Sequence, residues 1–188
     1  MGRVSPRIFQ AAVDGDAAAL DQVAAAWLPE VYRWCHRLAG PRCDAEDAAH
    51  EVLILVCDRM HRVRSPEQFP SWLFGITRRV VANHRRRAWF RKWVPGATAE
   101  PQSDWMGPER THQAKQAADE VWAALDSLAA QQREVLVLCE LEDLSAGEAS
   151  ELIGVPVGTV KSRLRAARVA FRGAVESKRR SASALEVV

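Results

Sequence analysis

The chain has 188 residues, enough for one or two domains of ordinary size, and its formal net charge is only +2. Apolar residues make up 48% of the chain, which is enough for a packed core and excludes a mainly disordered protein. The apolar run Val52 to Cys57 falls far short of the roughly 20 residues that a membrane span needs, and the first residues lack the apolar stretch of a secretory signal. Four unevenly spaced cysteines do not indicate a disulfide framework, so the sequence predicts a protein of the reducing cytoplasm.

The small net charge hides two strongly basic blocks. Residues 59–93 have a net charge of +9 and residues 152–180 one of +7, whereas residues 1–58 and 94–151 carry −4 and −9. Because surface fields decay over about 8 Å at physiological salt, distant acids hardly cancel these blocks. We therefore expect each block to attract a polyanion locally, the alternative for either block alone being a solvated basic helix face.

Helical periodicity runs through the first half of the chain. The sequence predicts a helical segment over residues 8–39 that stops at Gly40, a second helix capped by Asp44 and ended at Ser65-Pro66, and a third that begins near Pro70. The apolar positions with this spacing are Val23, Trp27, Val31, Trp34 and Leu38, then Val52, Leu53, Leu55, Val56 and Met60, then Trp72, Leu73, Ile76, Val80 and Val81. Since strand alternation is lacking throughout the sequence, the predicted fold class is all-α.

The periodicity disappears between about Val94 and Arg110, where prolines, glycines and acidic residues accumulate. This composition is typical of a solvated linker, and helical signals resume near Thr111. The sequence therefore predicts helical domains over residues 7–93 and 117–175, joined by a flexible linker at 94–116.

The strongest local signal is a helix-turn-helix in residues 144–171. Ser145 and Glu148 form a capping box that opens a short helix, Gly154 supplies the turn, and Pro156 suits the first turn of the next helix. The inward positions of that second helix are Val160, Leu164 and Ala167, and its outward positions include Lys161, Ser162, Arg165 and Arg168. Such a helix fits the major groove of DNA, which is about 12 Å wide, although an ordinary αα-hairpin with a solvated basic face is the alternative.

These motifs resemble those of the extracytoplasmic-function group of bacterial sigma factors. The matching stretches are residues 156–164 with Leu128 and 132–135 for the −35-binding domain, 44–52 for the helix that docks on the polymerase clamp, and 69–87 for the −10-recognition helix. The resemblance implies a two-domain protein that binds core RNA polymerase, opens the −10 region with residues 7–93 and grips the −35 element with residues 117–175. It implies promoter DNA and an anti-sigma factor as further partners, and neither a catalytic site nor a cofactor.

The resemblance also implies roles for individual residues. Asp47 and Glu51 would meet basic residues of the polymerase clamp, with Leu55 as an apolar neighbour. The set implied for the −10 element is Arg64, Arg78, Arg79, Asn83, Arg85, Arg86 and Arg87, beside a loop at 63–70 suited to a flipped base. In the second domain, Lys161, Ser162 and Arg165 would read −35 bases, while Thr159, Arg163 and Arg168 would touch phosphates. His50, Arg79 and Asn83 differ from the residues that the family usually has at these positions.

Basic and aromatic residues alternate at the end of the third predicted helix. Trp89, Phe90 and Trp93 interleave with Arg91 and Lys92, a pattern typical of surfaces that bind a single nucleic-acid strand. Trp89 also fits a core position, so its environment is left open here.

Two other functions are weighed against the sigma-factor hypothesis. A conventional helix-turn-helix regulator would bind duplex DNA as a homodimer without polymerase, and a nucleic-acid hydrolase would turn over DNA with a metal.

Cys43, His50 and Cys57 recur every seven residues, but a helical rise of 1.5 Å per residue spreads such ligands about 10 Å apart. We therefore predict core cysteines and no metal site.

Overall fold

The computed structural model describes residues 4–41, 43–91 and 112–185, and the regular structure within these ranges is helical. The chain divides into two compact units, one holding the described residues up to Arg91 and the other those from His112. The predicted all-α fold with two helical domains is thus confirmed. Positions 94–111 of the predicted linker lie outside the described residues, whereas positions 112–116 belong to a helix. None of the described helices is both long and apolar enough to cross a membrane.

The N-terminal unit contains helices α1 (Pro6–Val13), α2 (Ala17–Ala39), α3 (Ala45–Arg59) and α4 (Phe69–Arg91), with a 3₁₀ turn at Met60–Arg62. The first three helices each begin at a polar side chain that accepts a backbone N–H, namely Ser5, Asp16 and Asp44. The segment predicted over residues 8–39 is two helices rather than one, because Gly15 turns the chain at a φ of 94° before Asp16 caps α2.

The N-terminal core lies where α2, α3 and α4 pack together. Phe69 contacts the rings of Phe9 and Trp27, each at a centroid distance of 5.4 Å, and Phe74 meets Trp34 edge-on at 5.1 Å. Perpendicular aromatic pairs of this kind add about 0.5–1.5 kcal/mol each beyond the burial of their area. This packing fixes which side of α4 faces inward.

The core positions considered for α4 have different outcomes. Ile76 is buried, as predicted, whereas Trp72 is only partly buried beside Phe69. Trp89 is 56% exposed and does not belong to the core. The reason is register, because at 100° per residue Trp89 lies about 160° around the helix from the fully buried Leu73.

The C-terminal unit contains α5 (His112–Ser127), α6 (Ala130–Leu136) continued by a π-helical turn at Val137–Leu141, α7 (Ala146–Ile153) and α8 (Val157–Leu185). The predicted capping box is present, since Ser145 Oγ accepts the Glu148 N–H at 3.2 Å and the Glu148 carboxylate accepts the Ser145 N–H at 2.9 Å. Hydrogen bonds from the Ser145 hydroxyl and from the Ser145 backbone N–H to the carboxylate lower the pKa of Glu148. The three inward positions predicted for α8 are buried, namely Val160, Leu164 and Ala167.

The turn of the helix-turn-helix rests on Gly154, which has a φ of 69° and ends α7 in the left-handed region. Space is not the constraint, because a Cβ built on Gly154 meets nothing within 4 Å. We expect Gly154→Ala to destabilise the C-terminal unit by about 1 kcal/mol, the cost of a left-handed residue with a side chain. Amide hydrogen exchange around Val160 in the full chain measures this loss.

Gly173 provides the matched control, because it lies inside α8 with ordinary helical backbone and equally open space. Gly173→Ala should stabilise the helix by up to about 1 kcal/mol. The same chemical change would then act with opposite sign at the two positions, and equal effects would contradict the role given to the turn.

The cysteines divide into buried and exposed thiols. Cys35 and Cys43 are buried, as predicted, but Cys57 is exposed, and the expectation of a core position is wrong for it. Burial raises the pKa of Cys35 to about 12, so almost none of it is thiolate near pH 8. Burial, together with the charge of Glu140, also raises the pKa of Cys139.

We expect iodoacetamide at pH 8 to label Cys57 first and to leave Cys35 unmodified until the chain unfolds. Because the raised pKa keeps Cys35 protonated below about pH 12, labelling of the folded chain at pH 9 should still spare it. Peptide mass spectrometry of a labelling time course checks the order, and early modification of Cys35 would contradict the described core.

Candidate nucleic-acid interface

Helix α3 presents acidic and apolar side chains on its outer side. Asp47 is exposed, and the side chains of Glu51 and Leu55, one and two turns later, are partly exposed. The most exposed apolar side chain of this helix is Ile54, at 69%. Sequence reasoning chose Leu55 as the apolar contact and missed Ile54, although the positions of Val52 and Val56 in the apolar stripe leave Ile54 outside that stripe.

Glu51 connects α3 to the basic end of α4. Its Oε2 lies 2.9 Å from His84 Nε2 and 4.0 Å from Arg87 Nη1. The His84 side chain is only 17% exposed, so the nearer contact is partly shielded from water, whereas Arg87 is 64% exposed. Glu51, implied to be a polymerase contact, therefore also holds two α4 side chains in place.

The outer side of α4 gathers most of the residues implied for the −10 element. Arg79, Asn83 and Arg86 follow one another at steps of four and three residues, which places them on one stripe of the helix. All three are exposed, and Arg86 Nη2 donates to Asn83 Oδ1 at 3.4 Å. Arg64 and Arg78 are exposed as well.

Arg85 differs from its neighbours because it contacts the end of another helix. Its Nη1 donates to the carbonyl oxygen of Ala39 at 2.9 Å, and Ala39 is the last residue of α2. A cation at a helix C-terminus satisfies an orphan carbonyl and complements the helix dipole. This contact joins α2 to the basic end of α4.

The outer side of α8 carries the residues implied for the −35 element. Lys161, Ser162 and Arg165 are exposed, and Thr159 and Arg163 are partly exposed. A shallow groove of about 580 Å³ lies between the start of α6 and this part of α8. Its lining residues are Ala129, Ala130, Gln131, Gln132, Ser162, Arg163 and Ala166. Sequence reasoning matched Gln132 to the −35-binding domain but placed neither glutamine beside Ser162 and Arg163, because both are distant from these residues in the chain.

Arg168, implied to be a phosphate contact, has a carboxylate partner in its own unit. Its Nε and Nη2 both donate to Glu140 Oε1, at 2.8 and 2.5 Å. Glu140 belongs to the π-helical turn after α6, so the ion pair ties that turn to α8. The pair also borders a second groove of about 570 Å³, lined mainly by apolar residues, which are Val121, Leu125, Leu136, Leu141, Phe171 and Val175.

Groups of three or more His, Cys, Asp or Glu side chains that could hold a metal ion do not occur within residues 4–41, 43–91 and 112–185. The exposed side chains on the outer sides of α4 and α8 include arginine, lysine, amide, hydroxyl and aromatic groups. Such groups bind phosphates and base edges.

Comparison with known proteins gives matches in both units. The model of the Sigma-70 region 2 family matches residues 23–91, and that of the Sigma-70 region 4 family matches residues 118–171. The ECF RNA polymerase sigma factor ShbA of Streptomyces griseus is 34% identical over 82% of this chain and 90% of its own length. The ECF RNA polymerase sigma factor SigE of Mycolicibacterium smegmatis is 33% identical over 84% of this chain, which spans 63% of that longer protein.

A solved structure shares the fold. The sigma factor RpoE of Bartonella quintana, crystallised with the anti-sigma factor NepR, superposes with a TM-score of 0.59 at 22% identity. The alignment covers 83% of this chain and 96% of that one.

The contact between Glu51 and His84 can be tested by a double-mutant cycle. We expect Glu51→Gln and His84→Ala to be non-additive by about 0.5 kcal/mol in the free energy of unfolding, since the first removes the charge from this partly shielded contact and the second removes the imidazole. Urea titrations of the two single variants and the double variant give this coupling energy. Asp47→Asn, one turn earlier on exposed surface, should be additive with His84→Ala, and additivity for Glu51 as well would contradict the described contact.

Proposed function

The chain belongs to the extracytoplasmic-function family of RNA polymerase sigma factors, and we propose that it binds core RNA polymerase and directs initiation at promoters by recognising a −35 and a −10 element. The observation that carries this proposal is the pair of helices α4 and α8, which lie in separate units and each turn a basic side outward. A protein that grips two separate promoter elements needs two such surfaces. A homodimeric regulator would need only the helix-turn-helix.

At the −35 element, we propose that α8 enters the major groove. The exposed side chains of Lys161, Ser162 and Arg165 would read base edges, and Thr159 and Arg163 would touch phosphates. Ser162 Oγ donates to the carbonyl oxygen of Thr159 at 3.0 Å, which leaves its oxygen able to accept a hydrogen bond from a base. We leave Arg168 out of this set because its guanidinium pairs with Glu140.

At the −10 element, we propose that the outer side of α4 holds the opened strand. Arg79 and Asn83 would contact bases, because they are adjacent and exposed on one stripe, and Arg78, Arg86 and Arg87 would contact phosphates. Arg64, in the loop that precedes α4, would border the site of a flipped base. The role of Arg85 would be indirect, through the end of α2.

Polymerase would dock on the outer side of α3, at Asp47, Glu51 and Leu55, and we add Ile54 to this set because it is the most exposed apolar residue there.

The apolar groove between α5 and α8 gives the C-terminal unit a second face suited to a protein. We propose an anti-sigma protein as a further partner, as in the complex of the Bartonella quintana relative. We also propose that the chain has no catalytic site of its own and works in the cytoplasm.

Promoter-specific run-off transcription tests the proposed function. Core RNA polymerase supplemented with the purified chain should give discrete transcripts from a promoter library, whereas core polymerase alone should not. Tight duplex binding without transcripts would favour a conventional regulator, and cleaved template would favour a hydrolase.

Two arginine variants of α8 refine the same assay. Arg165→Ala should relax the base preference at one −35 position and cost about 1–3 kcal/mol of binding. Arg168→Ala should leave both the base preference and the salt dependence of binding unchanged, because Glu140 already holds that side chain. A lower salt slope for Arg168→Ala would return this arginine to the phosphate contacts.

A further inference from the structure

Two large aromatic side chains are exposed at the last turns of α4. Trp89 and Phe90 are each 56% exposed, and their rings meet edge-on with centroids 5.1 Å apart. By contrast, Phe69 and Phe74 of the same helix are at most 2% exposed. Adjacent large aromatic side chains exposed together point to a binding surface.

The register of α4 places this pair on the side proposed to face DNA. Phe90 follows Arg86 by four residues and continues the stripe of Arg79 and Asn83. Trp89 lies on a parallel stripe that begins at Arg78 and passes through Ala82 and Arg85, again at steps of four, three and four residues. The two rings therefore extend the surface built by the arginines.

The neighbouring charges favour nucleic acid over protein as the occupant. Arg86 and Arg87 are exposed one turn before the rings, so an incoming surface has to offer negative charge beside flat apolar faces. Phosphates and unpaired bases offer this combination, whereas the base faces of a duplex are hidden in the stack. An apolar protein surface would have to desolvate the exposed guanidinium groups of Arg86 and Arg87 without offering them a negative charge.

We propose that Trp89 and Phe90 form a stacking platform for unpaired bases of the opened promoter strand, adjacent to the stretch contacted by Arg79 and Asn83. This rests on the proposed function. The perpendicular rings form a corner in which a base stacks on the face of one ring and meets the edge of the other. Stacking accepts any base, so the platform would hold the strand open without adding sequence preference.

The first experiment compares aromatic and aliphatic replacements in the assembled holoenzyme. Trp89→Leu and Phe90→Leu should each weaken binding to a promoter with a pre-melted −10 region by about tenfold, whereas Trp89→Phe and Phe90→Tyr should stay within about twofold. Binding to a fully paired duplex that cannot open should not change. Tyr32→Leu, which removes an aromatic ring 39% exposed on α2, is the matched control and should have no effect.

Equal behaviour of the Leu variants and the wild type on the pre-melted promoter would overturn the proposal. Leu variants that bind core polymerase less tightly, but bind DNA normally once assembled, would show a protein surface as the occupant and would also overturn it. In either case, promoter-specific transcripts made with the wild-type chain would leave the proposed function standing. Absence of such transcripts would instead be a failure of the proposed function itself.

A crosslinking measurement on the wild-type chain does not depend on how the variants fold. The holoenzyme is irradiated on promoters with 5-iododeoxyuridine at successive unpaired positions, and crosslinked peptides are identified by mass spectrometry. We expect a crosslink to Trp89 or Phe90 from at least one position in the opened segment. Crosslinks that map to α4 arginine peptides but never to these two rings would overturn the platform.

Discussion

The packing of α4 against α2 and α3 is the constraint on which the N-terminal unit depends. The side chains of Phe69, Leu73 and Phe74 are buried on one side of this helix. A rotation of the helix that moved them outward would cost about 1.5–3 kcal/mol of burial free energy for each large apolar side chain exposed. The outward positions of Arg79 and Asn83 follow from that burial. The inner side of the helix thus sets the geometry of its outer basic surface, and Trp89 and Phe90 follow the same register.

Each unit also pairs an acid from a neighbouring element with an arginine of its basic helix. Glu51 of α3 lies near Arg87 of α4, and Glu140 of the π-helical turn binds Arg168 of α8. Both acids are distant in sequence from the basic residues that they contact, and both contacts join separate helices. In the C-terminal block the number of arginines is therefore larger than the number proposed to contact DNA, because Glu140 holds Arg168. Charge counting along the chain finds where the basic blocks lie but does not show which of their arginines contact a carboxylate of the same unit.

Local signals explain which parts of this molecule sequence reasoning could predict. The capping box at Ser145 and the buried positions of α8 depend on residues close together in the chain, and both are present as predicted. The break at Gly15, the exposure of Trp89 and the ion pair of Arg168 were not predicted, although the first two have local signals in a glycine and a register. The ion pair of Arg168 has no local signal, because its partner Glu140 lies 28 residues away in the chain, in the π-helical turn. Pairings of that kind require the tertiary fold.

The two kinds of contact proposed at α4 differ in their response to salt. Arginine–phosphate contacts release counterions, and for a single strand each one contributes about 0.7 to the salt slope. Stacking on Trp89 and Phe90 releases none, so its contribution persists as salt rises. Duplex DNA can use only the phosphate contacts, whereas an opened strand can use both. The preference of this surface for opened over paired DNA should therefore increase as the salt concentration rises. At high salt the surface would bind a separated strand more selectively than a neighbouring stretch of duplex.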